Sequence, residues 1–367
     1  MLKKPADRAL TKENLKLQSP KGMRDLIGEE YYRYQGFFEK AAEVAIYYGF
    51  QPIETPIMES ENLFYHSVGA HTDIMEKELY SLKTKGGDRL ALRPEGTAPI
   101  MRAYFEHGLQ NQPQPIMFYY HGPFFRHDNP QKGRYRELRQ FGLEIIGSDK
   151  SITDALVIRL VTTILAEAGL PNLPVEINSI GDRDCRPIWK RELVNYYRKQ
   201  AKEICPDCRE RLKDNPLRLL DCKQPKCQVI KLKAPSVISY LCAPCKQHFK
   251  EVLECLEAMN ITYTINNNLV RGLDYYSRTV FEISLPAEGD TGVPGLALAG
   301  GGRYDYLARS LGSKKPVSAV GAAIGVDRVL DAPNVANLLP RLVKKPKIFF
   351  IQLGAEAKMQ SLSIIEI

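Results

Sequence analysis

The sequence contains no apolar run long enough to cross a bilayer, which excludes a helical membrane span. It has no continuous apolar segment near its start. The opening MLKKPADRALTKENLKLQSP carries Asp7 and Glu13 and suits neither a secretory signal nor a transit peptide. Residues 1–18 are expected to be a flexible leader and the protein to be cytoplasmic. No segment recurs at a fixed period, so solenoid and propeller architectures are excluded. None of the eight cysteines lies outside residues 185–255. Without an export signal, a disulfide framework is not expected.

What is present is ordinary in bulk and uneven in detail. The 367 residues exceed the size at which one hydrophobic core usually keeps growing, so two or more domains are expected. The net charge of +8 suits a polyanionic partner without requiring one. Cys205 and Cys208, like Cys242 and Cys245, form Cys-x-x-Cys pairs, a spacing that can fit two corners of a zinc tetrahedron. Cys222 and Cys227 lie between them and give more candidates than one site needs. Zinc and free reduced thiols both remain open, and no metal ligand is assigned.

Apolar spacing predicts an amphipathic helix over residues 30–49, stopped by Gly49. A short strand-like piece with Pro52 and Pro56 follows, then a hairpin over 78–93 around Lys85-Gly86-Gly87. Residues 115–126 and 136–147 read as two strands joined by a polar, basic loop. A helix is expected over 153–168, with Thr153 as a possible cap and Gly169 as the stop. Residues 183–255 are charged, Cys-rich and largely helical, as in an inserted domain. Strand character returns at 261–284, a Gly-rich turn is expected at 300–302, and a strand-to-helix passage covers 317–331. Residues 332–345 read as a linker. KIFFIQLGAEAKMQSLSIIEI reads as a strand and the start of a helix.

Function concentrates in FFRHDNPQKGRYRELRQFGLEIIG. Strand alternation puts Gln140, Gly142 and Glu144 on one face and Phe141, Leu143 and Ile145 on the other. A half-buried structural strand would fit the same pattern. Gly142, however, removes a side chain between a carboxamide and a carboxylate, leaving room for a ligand. The loop before it carries Arg126, His127, Lys132, Arg134 and Arg136, and arginines clustered on a hairpin suit polyphosphate. A solvated basic turn is the alternative.

This segment resembles motif 2 of class II aminoacyl-tRNA synthetases, in the variant found in the histidyl-tRNA synthetase family. PKGMRDL resembles that family's opening signature, and GFQPIETPIME resembles motif 1, whose proline, here Pro56, lies at a dimer interface. LRPEGTAP resembles the histidine-binding loop and GVDRVL resembles motif 3. LVRGLDYYSRTVFEI and AGGGRYDYL resemble two further family segments. The resemblance runs in order from about residue 19 to the end of the sequence.

It implies an α+β fold: the class II antiparallel sheet flanked by helices over residues 19–182 and 256–331, with a mainly helical insertion at 183–255. Residues 332–345 would be a linker and 346–367 the start of an incomplete α/β anticodon-binding domain, as in a C-terminally truncated chain that makes adenylate but charges tRNA poorly. It implies a homodimeric, ATP-dependent histidine–tRNA ligase with Mg²⁺, whose partners are L-histidine, ATP and tRNA(His). Arg126 and Arg271 would be catalytic. Glu95, Gly96, Thr97, Arg126, Gln140, Glu144, Arg271, Tyr275 and Tyr276 would bind histidine. Arg126, Asp128, Arg134 and Arg328 would bind ATP. Asp128 departs slightly, since many relatives carry glutamate there.

Three other readings compete. A silent synthetase paralogue could regulate ATP phosphoribosyltransferase, but such paralogues typically lose RGLDYY and the motif 2 arginines, which are intact here. A non-enzymatic protein could keep the fold, yet every catalytic position is filled. A basic zinc-ribbon binder of nucleic acid would leave the flanking motifs unexplained.

Overall fold

A computed structural model describes residues 17–69, 72–131, 133–286, 295–341, 343 and 351–365. The chain opens with helix α1 (Glu29–Tyr47), strands β1 (Gln51–Pro52) and β2 (Met58–Ser60), and helix α2 (Glu61–Ser67). β3 (Ser81–Lys83), β4 (Arg89–Leu92), α3 (Thr97–Glu106), β5 (Ile116–Phe125), β6 (Glu137–Ile146), α4 (Ser151–Glu167) and β7 (Val175–Ser179) follow. The Cys-rich stretch holds α5 (Arg186–Lys199), α6 (Pro206–Asp214), α7 (Pro225–Lys231) and α8 (Ala243–Ala258). The chain then forms β8 (Tyr263–Ile265), β9 (Ser277–Ser284), β10 (Ala297–Arg303), α9 (Leu307–Ser310), β11 (Ala319–Gly325), α10 (Val326–Leu330) and α11 (Ala355–Ile365).

Eight strands make one sheet in the order β1-β5-β6-β11-β10-β9-β7-β8. The six inner strands are antiparallel to their neighbours, and only the two edge strands pair in parallel. The sheet buries both faces differently. Phe141, Leu143 and Ile145 of β6 pack with Phe37 and Ala41 of α1 and Ile158 and Val161 of α4. The opposite face carries a second cluster with Ile100 and Tyr104 of α3, Phe118, Tyr120 and Tyr304. Period-2 alternation thus sends the apolar half of β6 to the helices and frees Gln140, Gly142 and Glu144 for the other face.

Two expected boundaries change. α4 starts at Ser151, so Thr153 is its third residue and not its cap; the Thr153 hydroxyl donates back to the Lys150 carbonyl at 2.6 Å. Gly300, Gly301 and Gly302 do not form a turn but the middle of β10. A Cβ on Gly300 would lie 2.5 Å from the Arg271 guanidinium, and one on Gly301 would lie 2.1 Å from the Gly321 carbonyl. These glycines admit close neighbours across a strand, and sequence alone reads them as punctuation.

The stretch 183–255 is not uniform. Trp189, Leu193, Tyr197, Leu219, Leu220 and Val237 share a small core with four cysteines. Phe249, Val252 and Leu256 of α8 instead pack into the sheet's helix-side core. Lys132, most of the leader and residues 344–350 lie outside the described residues. α11 matches the helix expected at the end of the sequence. No helix among the described residues is long and apolar enough to cross a membrane.

Candidate active site

Across the inner strands the sheet floor is built of small residues. β6 pairs with β11 so that Gly142 faces Ala323, Glu144 faces Gly321 and Gln140 faces Gly325. β11 pairs with β10 so that Ala323 faces Gly300, and Gly300 in turn faces Glu282 of β9. A polar cavity of about 350 Å³ stands on this floor. Every site residue expected from the sequence lines it except Glu144: Glu95, Gly96, Thr97, Arg126, Asp128, Arg134, Gln140, Arg271, Tyr275, Tyr276 and Arg328.

Glu95 is fixed by its position at the start of α3. Its carboxylate accepts the backbone N–H of Thr97 at 2.8 Å and of Ala98 at 2.9 Å, satisfying donors that a helix start leaves free. The Tyr275 hydroxyl adds a contact at 3.3 Å. Burial pushes the Glu95 carboxyl up, and those N–H bonds and Arg126 oppose the shift.

Glu144 lies one layer below the cavity wall, almost wholly buried. Its carboxyl accepts the Thr97 hydroxyl at 2.8 Å, the Tyr304 hydroxyl, and the Tyr120 hydroxyl at a long 3.5 Å. Burial pushes its pKa from 4.5 up to about 8, against the pull of Tyr304 and Thr97. Gly142 does not leave an open space for ligand, as its sequence context suggests. A Cβ there would lie 2.0 Å from the Tyr120 ring, so the missing side chain makes room for that tyrosine. Gly96 has the same role, with the Tyr120 ring 2.4 Å from its hypothetical Cβ.

The cationic side is built from both ends of the floor. Arg126 follows β5, and its Nε donates to the Pro94 carbonyl at 2.9 Å. Arg271 lies over Gly300 and pairs with Glu282. β6 and β11 separate the strands that carry these two anchors. Arg328 donates to the Gly133 and Ala297 carbonyls, each at 2.9 Å. Burial lowers its pKa, and Arg134 and Arg126 lower it further. Arg134 pairs with Asp128 at 3.4 Å. Among the described residues of the expected basic cluster, Arg126 and Arg134 reach the cavity. Arg136 turns away to the Asp128 carbonyl at 3.1 Å, and His127 packs edge-on against Tyr80.

Other residues were not singled out by the sequence. Tyr120 and Tyr304 hold Glu144, yet aromatic residues in strands read as core. Asp327 accepts from Arg24 at 3.1 Å, from the Tyr34 hydroxyl at 2.7 Å and from the Arg139 backbone N–H at 2.6 Å. The opening PKGMRDL segment therefore braces the helix that carries Arg328. Behind the floor, fully buried Arg303 pairs with Asp154 and Asp305. The two Cys-x-x-Cys pairs do not meet each other. Cys205 and Cys208 cluster with Cys222 and Cys227, while Cys242 and Cys245 cluster with Cys185 and Asp182.

An antiparallel sheet with helices on one face, and with arginines and buried carboxylates around a glycine-rich floor on the other, has the architecture of the class II aminoacyl-tRNA synthetases. Within that class the comparisons agree. A family profile described as histidyl-tRNA synthetase matches residues 22–181 and 211–329. The histidine–tRNA ligase of Dehalococcoides mccartyi is 42% identical over 347 residues, covering 95% of this chain and 82% of the relative. That of Caldicellulosiruptor bescii is 42% identical over 340 residues, covering 93% and 80%. The solved S. aureus histidyl-tRNA synthetase superposes with a TM-score of 0.77 at 32% identity, covering 96% of this chain and 82% of that one. A Bacillus halodurans protein titled as an ATP phosphoribosyltransferase regulatory subunit/histidyl-tRNA synthetase shares the fold, with a TM-score of 0.67 at 24% identity, covering 96% and 90%. The chain belongs to the histidyl-tRNA synthetase family.

Proposed function

We propose that the chain activates L-histidine with ATP and passes it to the 3′ end of tRNA(His). The observation that carries this reading is the placement of Arg126 and Arg271 at opposite ends of one small-residue floor, with Glu95 and Thr97 on the same cavity. A histidine carboxylate is already ionised at neutral pH and needs no general base. Its oxygen attacks the α-phosphorus of ATP, the bond to the bridging oxygen breaks, and pyrophosphate leaves with the electron pair. The work left to the protein is alignment and neutralisation of the charge growing on the α-phosphate. Arg126 and Arg271 do both from two sides. Arg134 and Arg328 take the outer phosphates and the adenine side, and Asp128 orients Arg134. Mg²⁺, bound with ATP, would supply counter-charge to the phosphates, and Glu282, beside Arg271 on the cavity wall, would offer it a hard oxygen donor. The tRNA's terminal ribose hydroxyl then attacks the adenylate carbonyl and releases AMP.

Glu95 and the Thr97 hydroxyl hold the histidine ammonium, and Gln140 completes that end. Tyr275 and Tyr276, tilted with ring centroids 4.7 Å apart, bound the imidazole. Glu144 acts on selectivity from behind the wall, holding the Thr97, Tyr304 and Tyr120 hydroxyls of residues that line the cavity. Buried polar groups that other side chains leave unpaired reject them by about 10⁴-fold, which an apolar pocket does not achieve. Exposed Ile57 and Met58 beside Pro56, with Tyr31, Ile46 and Tyr47 on α1, support pairing of two copies through this surface.

Histidine-dependent exchange of label between pyrophosphate and ATP tests the activation step. Exchange that requires histidine and ATP supports it; a folded protein without exchange refutes it. Acylation of tRNA(His) tests the second step, and sedimentation tests the dimer.

A further inference from the structure

We propose that the Cys-rich excursion holds two structural zinc ions per chain, one bound by Cys205, Cys208, Cys222 and Cys227, the other by Asp182, Cys185, Cys242 and Cys245. Within each group, all four ligand atoms lie within 4.8 Å of one another. The groups are built alike. Cys205 and Cys242 each cap a helix, α6 or α8, and Cys208 and Cys245 sit one turn inside it. The remaining ligands come from a second segment in each case.

The first group is a tetrathiolate. All four cysteines are buried and none is in a disulfide. The Cys205 and Cys222 sulfurs stand 3.8 Å apart. A disulfide would bring two sulfurs to about 2.05 Å. Tetrahedral zinc with Zn–S bonds of about 2.3 Å places its sulfurs about 3.8 Å apart, which is the separation found. The Cys205 backbone N–H points to the Cys227 sulfur at 3.3 Å, a donor that suits a thiolate better than a thiol. Four neutral thiols would gain little from facing one another, because S–H is a weak donor and sulfur a weak acceptor.

The second group places a carboxylate among three sulfurs. Asp182 Oδ1 lies 3.4 Å from the Cys185 sulfur, and Oδ2 lies 2.9 Å from Cys245 and 3.7 Å from Cys242. Zn–O and Zn–S bonds of about 2.0 and 2.3 Å imply oxygen–sulfur edges of about 3.5 Å, close to the 3.4 and 3.8 Å from Oδ1 to the Cys185 and Cys242 sulfurs, while the 2.9 Å contact of Cys245 is a thiol hydrogen bond to the other oxygen. Asp182 and Cys185 lie where the chain leaves the sheet after β7; Cys242 and Cys245 lie where it returns on α8. This site closes the neck of the excursion. Soft thiolate sets select zinc over magnesium or calcium.

Size makes the case for need. Between Cys205 and Cys227 the chain has only the short helix α6, a six-residue stretch of tight helix (Pro216–Asp221) and the start of α7. It adds little apolar surface, mainly Leu219 and Leu220, to a core shared with Trp189, Leu193 and Tyr197, and so small a core usually takes a metal or disulfides as well. The first site also fixes part of the cavity wall. Inside its loop, Arg218 pairs with Asp73, and the Asn215 amide donates to both oxygens of Asp274 at 3.0 and 3.3 Å. Arg218 and Asp221 line the cavity.

The test is metal analysis of the whole purified chain, which should carry two zinc ions per molecule and negligible iron. Cys222→Ser should carry one, and Cys185→Ser should carry one. If either variant fails to fold, the wild-type chain is titrated with an organomercurial while a chromophoric chelator reports zinc. Two ions should appear as the thiols are blocked. Cobalt in place of zinc should give the intense visible bands of a tetrahedral thiolate site. Folded wild-type protein without bound zinc, or with iron instead, overturns the proposal. Zinc content unchanged in Cys222→Ser overturns the first site, and unchanged content in Cys185→Ser overturns the second.

Discussion

The catalytic sheet and the Cys-rich excursion bury polar groups in opposite ways. In the sheet region, several buried charges are matched by hydrogen bonds from more than one element. Arg303 binds two carboxylates, the Ser148 and Lys150 carbonyls and the Thr153 hydroxyl. Glu95 takes two backbone N–H groups, and Asp327 takes three donors. In the excursion, buried sulfurs gather in two clusters, one of them inside a small core. The sheet can therefore hold a charged cavity because a large two-sided core surrounds it. The excursion lacks that reserve, and its order rests on the thiol clusters. The two regions meet on one cavity wall, through Arg218 with Asp73 and Asn215 with Asp274.

The largest effect should come from the sheet side alone. On the proposed mechanism, Arg271→Ala removes the cation that faces the α-phosphate and should lower pyrophosphate exchange by about 10²–10³-fold, as loss of one preorganised charge-stabilising donor does. Amide hydrogen exchange in α6 and α7 should stay unchanged. A comparable drop in protection there would break the separation between the two regions.

Gly321→Ala probes how tightly the floor is packed. Its Cβ would lie 1.7 Å from Glu144 Oε2, so Glu144 must leave Thr97 and Tyr304 or β11 must shift. Overpacking of this kind costs about 1–3 kcal/mol. Denaturant titration should show that loss, and histidine-dependent exchange should fall by about tenfold or more. Gly312→Ala is a poor control because its backbone has a positive φ of 95°. Gly86→Ala, in the β3–β4 turn with nothing closer than 3.6 Å to its hypothetical Cβ, should leave both readings unchanged.

Glu144→Gln separates burial from chemistry. The folded-state pKa is raised from 4.5 to about 8, so between those values the folded protein keeps a proton that the unfolded chain has lost. Stability from this group is complete below pH 4.5 and declines as pH rises toward about 8. The wild-type chain should lose stability over that window relative to Glu144→Gln, with little difference at pH 4.5 and the largest at pH 8. Parallel stability curves would show that the carboxyl is not buried as described. The same variant should raise the KM for histidine by about tenfold while kcat changes less, since one buried hydrogen bond is worth about 1–1.5 kcal/mol.

The two regions also differ in how far the sequence discloses them. Alternation along 136–147 predicts which face of β6 carries Gln140 and Glu144, because period 2 is a local property. The helix at 29–47 and the 81–92 hairpin follow from local spacing and turn residues in the same way. The glycines of β10 and Gly142 mislead, because what requires them is a neighbour on another strand or loop: Arg271, Gly321 or Tyr120. Tyr304 lies in a recognised motif, but nothing in its spacing distinguishes a carboxyl partner from a core ring. In the excursion, the Cys-x-x-Cys pairs are visible in the sequence, but their partners are set by the fold: each pair joins Cys222 and Cys227, or Asp182 and Cys185, and not the other pair.

The smallest expected effect tests the seam between the regions. Arg218→Ala removes the pairing with Asp73, a carboxylate whose side chain is 36% exposed. Solvent screens such a pair, so its loss should cost about 1 kcal/mol, or about fivefold in an equilibrium. Arg218 lines the cavity but has no place in the proposed charge neutralisation, so the change should appear in the KM for a substrate and leave kcat nearly constant. Asn215→Ala should act in the same direction through Asp274, whose carboxyl burial already pushes up and the Asn215 bond holds down. If the two substitutions together cost no more than either alone, the excursion leans on the sheet as one rigid wall. If their effects add, Asp73 and Asp274 are held by independent contacts and the seam is two hinges.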